Sequence, residues 1–271
     1  MKDVEPGWPP DPLPGLIGGK VQHRQTVVST SDVARSLLAR KAADGTVILA
    51  EEQTGGRGRL GRRWVAPPGS SILASFILRP QGLPTRSAFL LTAAMGAALW
   101  QSVQQTCAPG DALYLKWPND LYLSGGKVAG ILTEVDFSGE TVGWAIIGVG
   151  INVNFDPATV AQLPATATSL SAAVGHPLSR AILFRHLCTG FEQRYRQLQA
   201  GDHATVLAEW SSRLGWRGRE VTVSDSGQPV LRGIFEGVDA DGALILGLAD
   251  GSSQRVVAGD LSLRLSGEVA P

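Results

Sequence analysis

Residues 55–64 read Gly-Gly-Arg-Gly-Arg-Leu-Gly-Arg-Arg-Trp and stand between two short apolar, β-branched runs, at 46–50 and 72–78. Four glycines and four arginines in ten residues offer too little apolar surface for a core and too much backbone freedom for a helix. The fold must therefore hold a long loop between two strands. Gly56, Gly58 and Gly61 spell G-x-G-x-x-G, the pattern of a dinucleotide-binding turn. That reading fails on two counts. The segment Val65-Ala66-Pro67-Pro68-Gly69 breaks the helix whose N-terminus should meet a pyrophosphate. About 20 residues further on, where an acidic ribose ligand belongs, stand Arg79 and Gln81.

What the loop can do is grip an anion. Arginine forks match phosphate and carboxylate oxygens with paired hydrogen bonds, glycines let the backbone approach closely, and Trp64 can stack on a flat base. A solvated basic loop or a nucleic-acid patch is the competing reading of the same residues. Lys116-Trp117-Pro118-Asn119-Asp120 follows a short strand; it reads either as a turn that aims Asn119 and Asp120 inward or as a plain Asn-Asp turn. Ser124-Gly125-Gly126-Lys127-Val128 is not a phosphate loop, because Val128 replaces the required Ser or Thr and Leu121 stands where the first Gly belongs. Lys127 opens an apolar run, where its ammonium either meets an anion or lies at a sheet edge. Gly148-Val149-Gly150-Ile151-Asn152-Val153-Asn154 ends another strand in small residues and amides. HExxH and GxSxG motifs are absent and no nucleophile stands out. Chemistry here would rest on alignment and charge stabilisation.

Around these blocks the pattern is mixed. Residues 1–24 form a Pro- and Gly-rich stretch expected to be a flexible arm. Ser29, Thr30 and Ser31 offer caps for a first helix carrying Val33, Leu37 and Leu38 on one face. Further helices are expected at 84–106, 179–199 and 203–214, and strands at 113–115, 127–135 and 142–149. After Gly215, strands at 221–223, 230–236, 243–248 and 254–257 alternate with Asp- and Gly-rich turns, the pattern of a small β-barrel. The class is α+β. Lysine plus arginine and aspartate plus glutamate number 24 each, so no global basic field draws in nucleic acid. Cys107 and Cys188 lie far apart and read as reduced packing residues. With no signal peptide or 20-residue apolar span, a cytoplasmic protein with no membrane partner is expected.

Taken in order, Ser29-Thr30-Ser31, Gln53-Thr54-Gly55-Gly56-Arg57-Gly58-Arg59, Lys116-Trp117-Pro118-Asn119-Asp120, Lys127-Val128-Ala129-Gly130-Ile131-Leu132 and Gly148-Val149-Gly150-Ile151-Asn152 resemble the biotin–protein ligase family across residues 25–264. The resemblance implies a class II aminoacyl-tRNA-synthetase-like catalytic domain over residues 25–215, binding biotin and ATP, and an SH3-like domain over 216–267. It implies that biotinyl-5′-AMP is formed and that biotin passes to a lysine of a biotin carboxyl carrier protein domain of a carboxylase, with ATP and biotin as substrates and Mg²⁺ assisting. By the same resemblance Ser29, Thr30, Ser31, Gln53, Gly56 and Arg57 would hold the biotin ring, and Gly130 and Ile131 would line its pocket. Arg59, Arg62 and Lys127 would face the carboxylate and the phosphates, and Trp64, Asn119, Asn152 and Asn154 would contact the nucleotide. Lys127, Arg59 and Asp120 would be catalytic. Mg²⁺ would sit on substrate phosphates, with Asp120 a further candidate ligand. Fewer than thirty residues precede the first block, so the monofunctional type without a DNA-binding domain is expected, as monomer or homodimer. Two departures stand out: Ser31 replaces the family's usual Asn, and Leu60 stands where a polar or basic residue is common. The rivals are a lipoate–protein ligase, which performs parallel chemistry on another acid, and a nucleic-acid-binding module built on the arginine loop.

Overall fold

The computed structural model describes residue 5 and residues 7–225, 228–259 and 261–266. Seven strands form the main sheet: β1 (Lys20–Val27), β2 (Thr46–Gln53), β3 (Ser71–Leu78), β4 (Leu113–Lys116), β5 (Asp120–Leu123), β6 (Gly126–Ser138) and β7 (Thr141–Asn152). Their order is β1-β2-β3-β7-β6-β5-β4. Only the β1–β2 pair is parallel; every other pair in the sheet is antiparallel.

Both faces of the centre are covered, which is why β3 is buried along its whole length and reads as a continuous apolar run. Helix α1 (Thr30–Ala39) covers one face, where Ala34 and Leu38 meet Ile48, Ile77 and Ile146. On the other face, Val47, Leu49, Phe76, Leu78 and Ile147 join one core with α2 (Phe89–Cys107), α4 (Arg180–Gln199) and α5 (His203–Ser211). The alternation of these positions along each strand is the period-two pleat. Alanines 93, 94, 97 and 98 make α2 thin enough to lie under α4, and Gly96 admits the Trp210 ring, 3.1 Å from where a Cβ would stand. A short helix, α3 (Leu170–Val174), follows the main sheet in sequence.

Strands β8 (Glu220–Asp225), β9 (Gln228–Val238), β10 (Leu244–Gly247), β11 (Ser253–Val256) and β12 (Leu261–Leu265) make a separate antiparallel sheet in the order β11-β10-β9-β8-β12. Val221, Val223, Phe235, Leu244, Leu246 and Leu263 form its interior. Ser226 and Gly227 of the expected Asp-Ser-Gly turn, and Gly267, lie outside the described residues. Among the described residues, no helix is long and apolar enough to cross a membrane.

The stretch expected to be a flexible arm through residue 24 needs correction. Lys20 to Arg24 already belong to β1, paired with β2. Trp8 and Ile17 are almost fully buried. The reason is a charge cluster that a reading by periodicity does not see. Glu5 accepts from the Arg180 backbone N–H at 2.6 Å and from Arg180 Nε at 2.9 Å, at the start of α4. Trp8 Nε1 donates to Glu51 at 2.5 Å, and the Arg180 guanidinium lies 4.4 Å from the Trp8 ring centre. Prolines supply an extended path that needs few backbone hydrogen bonds, so the segment packs without regular structure.

Candidate active site

Five sequence blocks meet around strands β2, β3, β5, β6 and β7 of the main sheet. The first is the α1 N-terminus. Ser29 caps it, accepting from the Ser31 N–H. Thr30 donates from both N and Oγ1 to Gln53 Oε1, at 2.7 and 3.1 Å, and accepts from Ser75 Oγ at 2.8 Å. Ser31 Oγ lies 3.1 Å from Ser75 Oγ. These hydroxyls are buried, and their mutual bonds satisfy them.

The loop between β2 and β3 folds over this wall. Gly56 accepts from the Trp64 N–H, and a Cβ on Gly56 would stand 2.6 Å from the Trp64 carbonyl, so only glycine fits. The Trp64 indole rests on a floor made by β6 and β7. A Cβ on Gly150 would lie 2.6 Å from Trp64 Cζ2, and one on Gly130 would lie 3.0 Å from Cζ3. Trp64 Nε1 is buried and has no hydrogen-bond partner among the described residues.

Arg59 Nη1 donates to Asn119 Oδ1 at 3.0 Å, while Nη2 donates to the Gly259 and Leu261 carbonyls of the C-terminal sheet. Asn119 Nδ2 in turn donates to the Ile131 carbonyl at 2.6 Å. The next residue, Asp120, pairs with Lys127 Nζ at 2.6 Å, and that ammonium stands 5.6 Å from the Trp64 ring centre. The contact is an ion pair of close charges rather than an aligned hydrogen bond, since Asp120 Oδ1 has no hydrogen-bond partner among the described residues. Arg59 and Lys127 thus flank one turn, Asn119-Asp120, in contact with the aromatic and glycine surfaces. Asn152, 2 % exposed, donates to the Thr168 carbonyl at 2.9 Å, and its Oδ1 is buried without a partner among the described residues. An orphaned buried acceptor of this kind is suited to a ligand donor.

The side chains of three expected site residues stand apart from this cluster. Asn154 spends both its amide atoms on the Leu178 backbone, donating at 2.7 Å and accepting at 2.9 Å, so its side chain fastens the chain before α4. The Arg57 guanidinium pairs with Asp32 and Glu134. Arg62 is exposed on the loop, and its carbonyl accepts from the Gly58 N–H. The reading of residues also overlooked Asp32, Arg35 and Glu134, which surround Arg57. The only sequence signal for them was the Asp32–Arg35 spacing of three along α1. The groove of about 590 Å³ between Pro12, Leu13, Ile17 and α4 is lined by none of the site residues.

The biotin/lipoate A/B protein ligase family model matches residues 22–152, and the biotin protein ligase C terminal domain model matches residues 218–264. The chain is 37% identical to the biotin--[acetyl-CoA-carboxylase] ligase of Paracoccus denitrificans, over 77% of this chain and 87% of the relative. It is 32% identical to the bifunctional ligase/repressor BirA of Bacillus subtilis, over 92% of this chain and 75% of the relative. Among solved structures, a biotin protein ligase from Aquifex aeolicus in complex with biotin and ATP superposes with a TM-score of 0.75 at 25% identity, covering 91% of this chain and 99% of that one.

Proposed function

Because the chain belongs to the biotin protein ligase family, and is therefore a ligase, we propose that it forms biotinyl-5′-AMP from biotin and ATP and transfers the biotinyl group to one lysine of a biotin carboxyl carrier domain. A single arrangement supports this most: Arg59 and Lys127 flank the Asn119-Asp120 turn beside a glycine floor. Adenylation requires a carboxylate oxygen to attack the α-phosphorus of ATP, expelling pyrophosphate, although both partners are anionic. Two fixed cations lower that repulsion and stabilise charge developing on the phosphoryl oxygens.

On this reading Ser29, Thr30, Ser31 and Gln53 meet the ureido end of biotin, and the Gly56 and Arg57 backbone closes over it. Gly130 and Ile131 line the tail. The free Asn152 Oδ1 and the Asn119 amide meet the adenine, with Trp64 moving from the glycine floor to cover the adenylate and exclude water. Arg62, exposed on the loop, swings onto the phosphates. In the second step the acceptor amine attacks the acyl carbon, the bond to AMP oxygen breaks, and Asp120 takes the amine proton. Residues 25–215 would form the catalytic unit, of class II aminoacyl-tRNA-synthetase type, and 216–267 an SH3-like domain.

Magnesium fits this site only through the substrate. Asp120 is one carboxylate already paired with Lys127, and among the described residues no three His, Cys, Asp or Glu side chains gather. The protein alone does not make a hard-cation cage, so no step is assigned to the metal.

The decisive experiment incubates the protein with ATP and either biotin or lipoate, measures pyrophosphate release, and then weighs a purified carrier domain by mass spectrometry. Release and a mass gain with biotin alone are expected. Release with lipoate alone would transfer the chain to the parallel chemistry, and a carrier domain unchanged in mass would sink the transfer step.

A further inference from the structure

Three walls of the site are tied together at one point outside it. Arg57, at the front of the loop, places Nη2 2.8 Å from Asp32 Oδ1 on α1 and 3.4 Å from Glu134 Oε1 on β6. Arg35, one turn along α1, places Nη1 3.0 Å from the same Asp32 oxygen and Nη2 2.5 Å from Glu134 Oε2. The result is a closed ring of alternating charge, Arg57–Asp32–Arg35–Glu134. It joins the helix that begins at Thr30, the strand that carries Lys127, Gly130 and Ile131, and the loop that carries Arg59 and Trp64.

The loop's other ties near this end are the Gly55 N–H to the Val28 carbonyl, the Trp64 N–H to the Gly56 carbonyl and Arg63 Nη2 to the Thr54 carbonyl at 2.8 Å. These fix its stem and, through Trp64 on the glycine floor, seat it on β6 and β7, but none of them reaches α1. The ring does. Without it, each acid would still face Arg35, and the loop front would lose its tie to α1.

We propose that Asp32, Arg35 and Glu134 are positioning residues that hold Arg57, and with it the loop front, in the closed arrangement over the pocket. The inference rests on the reading of that pocket as the biotin and adenylate site. The side chains of Arg57, Asp32 and Arg35 are 40 to 45 % exposed and that of Glu134 24 %, so the ring is a solvent-screened latch rather than a buried lock. It can open and close without the desolvation cost of buried charge. Its strength falls as salt rises. The latch would keep the mixed anhydride from leaving before an acceptor arrives.

The test uses the full chain with the isosteric pair Asp32→Asn and Glu134→Gln. Amide exchange over residues 55–64 in the ligand-free protein is expected to quicken on the order of tenfold. Salt of about 0.5 M should bring the parent toward the double variant. With substrates, KM for biotin and the escape of free adenylate should rise together, while pyrophosphate formation at saturation stays within about twofold. Arg35→Gln leaves both acids of Arg57 in place and should loosen the loop less; Glu134→Asp should keep more of the parent behaviour than Glu134→Gln. Unchanged loop exchange in the double variant would overturn the latch. So would a fall in the saturated rate as large as the rise in KM. The exchange measurement needs no substrate: a loosened loop in a protein whose parent never activates biotin would uphold the latch and sink the biotin reading instead.

Discussion

Lys127 Nζ stands 2.6 Å from Asp120 Oδ1, and the two side chains are 27 and 18 % exposed. A lysine entering an apolar strand is costly unless an anion meets its ammonium, and here the anion is the residue that follows Asn119, the partner of Arg59. The lysine is therefore held ready beside the turn and is not a solvated edge residue. Lys127→Ala is expected to slow biotin-dependent pyrophosphate exchange by about 100-fold, roughly 3 kcal/mol of charge stabilisation. Biotin binding by calorimetry should weaken much less. Equal losses in the two measurements would mean that Lys127 only binds substrate.

Gly150 and Gly130 form the surface under Trp64. Gly150→Ala would push a methyl into the indole, not into backbone, so the loop gives way and the sheet stays. The expected outcome is a melting temperature near that of the parent, faster exchange in the loop and a KM for ATP raised about tenfold. Tryptophan emission should report a more solvated Trp64. A variant that melts far below the parent, with the loop unaffected, would show that the glycine serves the sheet alone.

Much of this was legible in the chain, for reasons that can be traced. β3 is a run of branched and apolar residues because both its faces are covered, and the arginine loop announces itself by its glycines. The C-terminal strands are bracketed by Asp-Gly turns such as that at Asp241-Gly242. β1, β5 and β12 carried no such mark. β1 is an edge strand of largely polar residues, Lys20–Val27, whose pairing with β2 fixes it. Trp8 and Ile17 sit in a proline-rich stretch that reads as loose; their burial depends on Glu5, Glu51 and Arg180, drawn from three distant parts of the chain. The proximity of Arg59 to the Lys127 turn followed only from the ordered resemblance to a family, since neither periodicity nor spacing links a loop to a strand so far along. The Arg57 ring left no trace but the Asp32–Arg35 spacing, because its other members meet through tertiary packing.

The two sheets are joined beside the site by Trp117, 2 % exposed, whose Nε1 donates to the buried Gly242 carbonyl at 3.0 Å. Trp117→Phe keeps an aromatic ring but leaves that carbonyl unpaired, at a cost of about 2 kcal/mol. In urea the midpoint should fall accordingly. Because Trp117 stands two residues before Asn119, adenylation should slow as well. Unchanged stability would mean that water replaces the indole donor and that the contact carries little.

The N-terminal clasp should give way in acid. Burial alone would raise the Glu51 carboxyl, but hydrogen bonds from Arg180, Trp8 and His23 outweigh it and hold the group below its ordinary value. A carboxylate depressed in the folded state binds fewer protons there than in the unfolded chain. Its contribution is therefore complete above the ordinary carboxylate range and is lost as pH falls through that range toward the lowered folded value. Glu51→Gln removes the charge at every pH. Melting curves of the parent and of Glu51→Gln, taken from neutral pH down to about pH 3, should lie apart at neutral pH, with the parent higher, and converge toward the acid end. In the same acid window, amide exchange at Trp8 and along β1 should quicken before the core strands respond. A constant gap between the two proteins across the whole range would show that Glu51 acts by shape and not by charge.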